Sequence, residues 1–118
     1  MTEPLDASTA QRDIADVAAV EVITTAAVHL MSAAAVKCGL GDGADGRTAD
    51  DDLDLDEARK LITALAALVT ASAPDLGNQH ARSLRDGLRS LQLAFREASP
   101  FPDAPGEGPG EKLTGPVS

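Results

Sequence analysis

The polar side chains with the clearest chemical potential lie on one predicted helix, where Glu21 and His29 share a narrow stripe. Eight residues of helix separate them by about 12 Å, which is too far for a direct acid–base pair. Thr25 lies between them and could relay a hydrogen bond, and His80 could approach from another segment. We favour a simpler interpretation, in which His29 is a surface or interface histidine that makes one hydrogen bond.

The other chemically capable groups lack the surroundings that catalysis or metal binding needs. Cys38 has no His or Asn at a spacing typical of a cysteine nucleophile. The glycines of residues 39–43 follow no predicted strand and precede no Lys-Ser/Thr pair, so they do not form a phosphate loop. The alternating aspartates from Asp50 onward fail the EF-hand pattern, because Leu55 and Leu61 stand where Gly and Glu are required. We therefore expect no catalytic residue, no cofactor and no bound metal, and we expect that the protein is not an enzyme.

Apolar residues recur at helical spacing in three segments, which predicts an all-α chain. The helices are expected at about 13–38, 55–72 and 78–98, and the first is expected to be the longest. No stretch alternates with period two, so no strand is expected. The sequence predicts a three-helix unit over residues 13–98, with an acidic loop at 39–53.

Residues that favour helix ends mark these boundaries. Asp13 or Asp16 offers a start for the first helix, and Gly39 offers its stop. Asp54 is a natural N-cap for the second helix. Pro74 is expected to end that helix, because proline lacks the backbone N–H that a helix interior uses.

The two ends of the chain differ in composition from the helical unit. Residues 1–12 are polar and are expected to be flexible. Residues 99–118 hold five of the seven prolines and four of the ten glycines. Such a segment buries little apolar surface to offset its ordering entropy, so we predict a disordered Pro/Gly-rich C-terminal tail.

The first predicted helix is apolar around most of its circumference. Two shorter companions cannot cover a helix of about 39 Å on several sides, so part of it should meet a partner. We expect the chain to form a homo-oligomer or to bind another protein. The expected interface is the broad apolar face made by Val20, Ile23, Ala27, Leu30, Met31 and Ala34.

Membrane insertion and secretion are not expected. The longest stretch without charge, residues 22–36, is about 22 Å of helix, which is shorter than the hydrocarbon core of a bilayer. The first residues are acidic rather than basic, unlike a secretory signal. A single cysteine suits a reducing compartment. We therefore expect a cytoplasmic protein with no membrane span.

Charge is unevenly distributed in this acidic chain, whose formal net charge is −9. The acidic total argues against a general DNA-binding protein, and an aromatic content of 2% offers few rings on which bases could stack. One helix nevertheless carries arginines within about 60° of each other, which could contact RNA, a ribonucleoprotein or an acidic protein surface. The alternative is a solvated face that pairs with the chain's own acidic loop. This arginine stripe consists of Arg82, Arg85, Arg89 and Arg96.

Three segments, in this order, resemble a small bacterial family known as domain of unknown function 1844. The segment at residues 22–30 (VITTAAVHL) is similar to the first helix of that family, and residues 54–62 (DLDEARKLI) are similar to its second. The leucine ladder that ends at Phe95 resembles its last helix, and the Pro-Gly pattern of residues 105–112 resembles its actinobacterial branch. Thr63 departs from an Asp that is frequent in the family. The resemblance implies a fold and a bacterial cytoplasmic setting, and no reaction.

The sequence leaves two main functional hypotheses open, beside a minor one of an enzyme that uses Glu21, Thr25 and His29. The first is a small, acidic, non-enzymatic helical protein that self-associates or binds a partner through residues 13–38. The alternative is an accessory factor that binds RNA or a ribonucleoprotein through the arginine stripe on residues 78–98.

Overall fold

The computed structural model describes residues 14–41 and 49–117, and every regular element within them is helical, as predicted. The predicted flexible N-terminus at 1–12 and most of the predicted acidic loop, residues 42–48, lie outside the described residues. The elements are α1 (Ala19–Lys37), a 3₁₀ turn (Ala49–Asp52), α2 (Leu55–Leu76), α3 (Asn78–Ala98) and the short α4 (Glu111–Thr114).

The first helix begins later than predicted. Ala18 has an extended backbone and no side chain caps α1, so the turn in which Val17 N–H donates to the Ile14 carbonyl is separate from the helix. With 19 residues, α1 is shorter than α2 with 22 and α3 with 21, so the expectation that it is the longest helix is wrong. Its predicted stop is confirmed, because Gly39 follows the C-cap with a φ of +83°.

The second helix starts as predicted but continues past its proline. The Asp54 carboxylate accepts a hydrogen bond from Glu57 N–H at 3.2 Å, which is the expected N-cap contact. Pro74 lies inside the last turn, and α2 ends only at Gly77. A proline there removes one helical hydrogen bond, and the last turn persists because Ala73 and Leu76 are buried against the rest of the chain.

Two alanines set how closely α1 packs on the other helices. Ala27 and Ala34 are both fully buried, with 0% of their surface exposed, and α1 packs chiefly on α2. Against α3, the thioether of Met31 fills the space above Gly87, where a Cβ would lie 2.8 Å from the Met31 methyl carbon. Small residues at both contacts therefore bring the three helices together.

The centre of the core belongs to α2 and α3. The largest fully buried side chains are those of Ile62, Leu65 and Val69, all on α2. They face a leucine ladder on α3, and the apolar spacing seen in the sequence accounts for both stripes. The buried residues of α3 are Ala81, Leu84, Leu88, Leu91, Gln92 and Phe95.

Residues 99–117, which we call the strap, fold onto the surface between α2 and α3. One end is held where Arg59 forms a salt bridge of 3.0 Å with Asp103 and Arg96 donates to the Asp103 carbonyl at 3.1 Å. Arg59 also lies 4.9 Å from the centre of the Phe95 ring, so one guanidinium links α2, α3 and the strap. The strap therefore starts from a polar anchor.

Polar contacts continue along the strap. The Gln92 side-chain N–H₂ donates to the Pro109 carbonyl at 3.0 Å and to the Thr114 hydroxyl at 3.1 Å. The buried carboxylate of Glu111 accepts from the backbone N–H groups of Gly106 at 3.1 Å and Val117 at 3.3 Å, which ties both ends of the last loop together. Among the described residues, no buried side-chain nitrogen or oxygen lacks a hydrogen-bond partner.

These contacts correct the prediction of a disordered tail over residues 99–118. The structure places 99–117 against the helices, with Val117 buried. Disorder was predicted because the composition of this segment offers little apolar area, and composition does not show polar contacts. The strap is held by polar partners on α2 and α3 and by the close approach of Gly110 to α2, and neither is visible in local composition.

We predict that Gly110→Ala destabilises the strap. Gly110 has a φ of +76°, and a Cβ at this position would lie 2.6 Å from the Cβ of Ala66 on the fully buried face of α2. The left-handed backbone and the clash together should cost about 2–3 kcal/mol. Thermal unfolding and amide hydrogen exchange across residues 99–117 measure the loss.

Gly106→Ala is the matched control for this variant. Gly106 also lies in the strap with a φ of +83°, but its Cβ would meet nothing closer than 4.0 Å. Gly106→Ala should therefore cost only the backbone penalty, about 1 kcal/mol. Equal losses of stability in the two variants would contradict the inferred close packing of Gly110 on Ala66.

Candidate functional site

One side of α1 is exposed in the part of the chain that the structure describes. Val22 and Val28 expose 49% and 54% of their surface, and Val36 is also exposed. On a helical wheel, these valines lie on the side opposite Ala27. We call this surface the outer face of α1, and it consists of Glu21, Val22, Thr25, Ala26, Val28, His29, Ser32 and Val36.

The six residues predicted as a partner interface lie on the other side of the helix. Ala27 and Ala34 are buried, and the four larger residues are half-buried against the core. In this chain, that face is used to pack α1 on its own companions. The residues concerned are Val20, Ile23, Ala27, Leu30, Met31 and Ala34. The outer face is the side of α1 whose large apolar side chains are exposed in the described part of the chain.

Most of the exposed large apolar side chains in the described part of the chain lie on or beside α1. Two residues precede the helix, Ile14 and Val17, and a shallow depression of about 380 Å³ joins them to Val22. Leu40 and Leu53 lie near its other end, where Asp54 N–H donates to the Lys37 carbonyl. Only two large exposed apolar residues lie elsewhere, Phe101 and Leu113 in the strap.

The polar trio considered for catalysis lies on this same outer face. Glu21, Thr25 and His29 are all exposed. Glu21 and Thr25 line the shallow depression, whereas His29 does not. The structure therefore brings two of the three to one open surface and encloses none of them, an arrangement that supplies no water-excluded pocket for acid–base chemistry.

The predicted arginine stripe is divided by the strap. Arg82, Arg85 and Arg89 are exposed along α3. Arg96 is half-buried and donates to the Asp103 carbonyl, so it serves the fold. Three arginines on successive turns remain at the surface, and two of them, Arg85 and Arg89, line a cavity beside the strap.

The sequence analysis did not identify two features, the buried Gln92 of α3 and the exposed valines of α1. Gln92 is buried at 2% exposure and holds two strap residues. The signal for it was an uncharged polar residue between Leu88 and Phe95 on the apolar stripe of α3. The outer-face valines Val22 and Val28 were visible on the helical wheel, but the wheel does not say which side of an apolar helix meets its own fold.

The next feature is the resemblance of α1 to a membrane-spanning helix. By length and composition alone, α1 qualifies as a candidate membrane span, with 19 residues and a mean hydropathy of 1.6 in its most apolar window. It is the one such helix among the residues the structure describes. Glu21 and Lys37 lie near its two ends, and Ala27 and Ala34 pack into the core, as in a helix that belongs to a folded unit.

Comparison with known sequences gives one match. The model of a family described as a domain of unknown function, DUF1844, matches residues 19–97, which include all of α1 and α2 and nearly all of α3. No curated protein and no solved structure matches the chain.

We predict that Cys38 reacts slowly with thiol reagents in the folded protein. Burial raises the pKa of the Cys38 thiol, so the reactive thiolate is scarce near neutral pH. Near pH 8, its alkylation by iodoacetamide should be at least about tenfold slower in the native chain than in urea. A cysteine introduced by Ser90→Cys, at an exposed position of α3, in a Cys38→Ala background, should react at the same rate in both states.

The same shift fixes the direction of a pH effect on stability. A thiol whose pKa is raised by folding contributes fully below its unfolded value, near 9.0, and loses that contribution as the pH rises above it. The free energy of unfolding should therefore fall more steeply above about pH 9 for the natural chain than for Cys38→Ala. Equal slopes, together with rapid native alkylation, would contradict the burial of this thiol.

Proposed function

The chain belongs to the DUF1844 family, whose description assigns it no function, and we propose that it is a non-enzymatic helical protein that self-associates through the outer face of α1. The observation that carries this proposal is the exposure of Val22 and Val28, at 49% and 54%, along an apolar helix. Covering the exposed half of each valine is worth about 1 kcal/mol.

The order of residues on the outer face favours a second helix as the occupant. Val22, His29 and Val36 recur every seven residues, with Thr25 and Ser32 between them, which is the spacing of a helix–helix seam. The seam is made of small and medium side chains and lets two helix backbones approach closely. The polar residues within it favour one register over others, as single polar seam residues do in coiled coils.

Charge favours a second copy of this chain on the same face. Each chain carries a net charge of −9, so two copies repel each other wherever their acidic surfaces meet. Residues 22–36 carry no Asp, Glu, Lys or Arg. Apart from Glu21 at its N-terminal end, the outer face is therefore a surface where two acidic chains can meet with little repulsion.

The exposed apolar surface continues beyond both ends of α1, which enlarges the area that a second copy could bury. A single helix of 19 residues is about 28 Å long, and a face of that length alone is small for a stable interface. Ile14 and Val17 extend it at the N-terminal end, and Leu40 and Leu53 extend it at the other. A two-fold contact that includes these side chains covers most of the exposed large apolar residues at once.

We predict that the double variant Val22→Glu, Val28→Glu is a single chain under conditions where the natural chain is a dimer. Light scattering on a gel-filtration peak should give about twice the 12.0 kDa of one chain for the natural protein. Two carboxylates per chain, one within the seam at Val22 and one beside it at Val28, should raise the dissociation constant at least about tenfold. Circular dichroism should show unchanged helix content, because both positions are exposed within one chain.

Phe101→Glu is the control, because Phe101 is 92% exposed and lies in the strap, away from α1. It makes the same kind of change and should leave the mass at that of the dimer. A natural chain that elutes with the mass of one chain at every accessible concentration would overturn self-association.

A second candidate function rests on the exposed arginines of α3. Arg82, Arg85 and Arg89 present guanidinium groups on successive turns, which supports binding of RNA or a ribonucleoprotein through phosphate contacts. The loss of Arg96 to the strap shortens this surface to three contacts. Enough remains for weak, salt-dependent binding without base stacking.

For this second candidate, we predict a shallow salt dependence. Three phosphate contacts to single-stranded RNA correspond to a slope of about −2 in a plot of log binding constant against log salt. Fluorescence anisotropy of a labelled RNA measures it, and Arg85→Glu with Arg89→Glu should abolish binding. Lys112→Glu, an exposed lysine of the strap, is the control for charge alone. Absent or salt-insensitive binding would contradict this function.

A further inference from the structure

The strap buries little apolar surface of its own. Its buried residues are Gly108, Pro109, Glu111 and Val117, and only Pro109 and Val117 among them have apolar side chains. The hydrophobic core of the described residues is instead made by α1 with its C-cap, α2 and α3. Segments with few buried apolar contacts open at a lower free energy than a core does. We therefore expect the strap to open more readily than the helices unfold.

The strap is attached to the helices at two separate places. At the first, the Asp103 carboxylate pairs with Arg59 of α2 at 3.0 Å, and the Asp103 carbonyl accepts from Arg96 of α3 at 3.1 Å. At the second, the side-chain amide of Gln92 donates to two strap residues at 3.0 and 3.1 Å. Each of these contacts joins the strap to a helix side chain, so all of them can be lost without breaking a backbone hydrogen bond within α2 or α3.

The second half of the strap has hydrogen bonds of its own when it is docked. The Glu111 carboxylate accepts from the backbone N–H groups of Gly106 and Val117, and at the end of α4 the Gly115 N–H donates to the Glu111 carbonyl at 2.8 Å. A helix of four residues, such as α4, is too short to persist in water without tertiary support. Release of the strap should therefore break these internal hydrogen bonds together rather than one by one.

Residues 99–102 are placed to act as a hinge. They join the end of α3 to the first attachment, and Phe101, between two exposed prolines, is itself 92% exposed. A change of backbone direction here disturbs no core side chain. We propose that the strap is a latch, which opens as one unit about residues 99–102 while α2 and α3 stay folded.

Opening of the latch changes the charge that the helices present. It releases Arg59 and Arg96 from Asp103, while Arg59 stays beside the Phe95 ring, 4.9 Å from its centre. The open state therefore exposes two guanidinium groups that the closed state pairs with the chain's own Asp103. The latch is in this sense an autoinhibitory contact over a cationic surface.

The test is native-state hydrogen exchange of the full chain, followed by NMR in low concentrations of urea. The backbone amides of Leu113, Gly115 and Val117 all donate hydrogen bonds within the strap. These three amides should exchange with one common opening free energy. Their exchange should depend less on urea than that of the helical amides of Leu65 and Val69, because opening of the latch exposes less surface than global unfolding does.

Asp103→Asn tests whether the two attachments open together. The variant removes the ion pair at the first attachment, so it should speed exchange of Gly115 and Val117 at the other end about fivefold and leave Leu65 unchanged. Glu107→Gln, which removes one negative charge from an exposed strap residue, should change none of these rates. The proposal is overturned by strap amides that show no protection, by strap amides that exchange only with the urea dependence of Leu65, or by equal effects of the two substitutions on Gly115 and Val117.

Discussion

The close packing of α1 on α2 through Ala27 and Ala34 is the contact on which the account depends. Two side chains of minimal size sit at the centre of the buried face, and they hold the helix against the core along one narrow line. Within residues 14–41 and 49–117, no element covers the opposite side of this predominantly apolar helix. The same sequence feature that lets the helix pack inward therefore leaves Val22 and Val28 exposed, and the proposed self-association rests on that exposure.

A second constraint is the attachment of the strap to α2 and α3, which depends on polar contacts as well as on buried apolar surface. Arg59 and Arg96 converge on Asp103, and Gln92 and Glu111 hold the last loop. The strap also half-buries Arg96. The two sides of the described fold thus differ: α1 exposes apolar side chains, whereas α3 and the strap are joined by polar contacts.

Local rules anticipated much of the fold from the sequence. The cap at Asp54 and the stop at Gly39 depend on neighbouring residues alone, and both were predictable. The continuation of α2 past Pro74 was not predictable, because it depends on the burial of Leu76 against other parts of the chain. The helical wheel of α1 predicted a partner interface on the Ala27–Ala34 face, and the structure packs that face against the chain's own helices. Periodicity identifies a packing face, but it does not say which element packs there. The strap was missed because its partners lie up to 44 residues away in the chain.

The most direct test of the central claim is the solvent accessibility of the outer-face methyl groups, measured by NMR with a soluble paramagnetic probe across a range of protein concentrations. If a second copy covers α1, the methyl signals of Val22 and Val28 are protected at high concentration and become as accessible on dilution as that of Leu113 in the strap. If the two valines remain as accessible as Leu113 at every concentration, no second copy covers the outer face and the account is wrong.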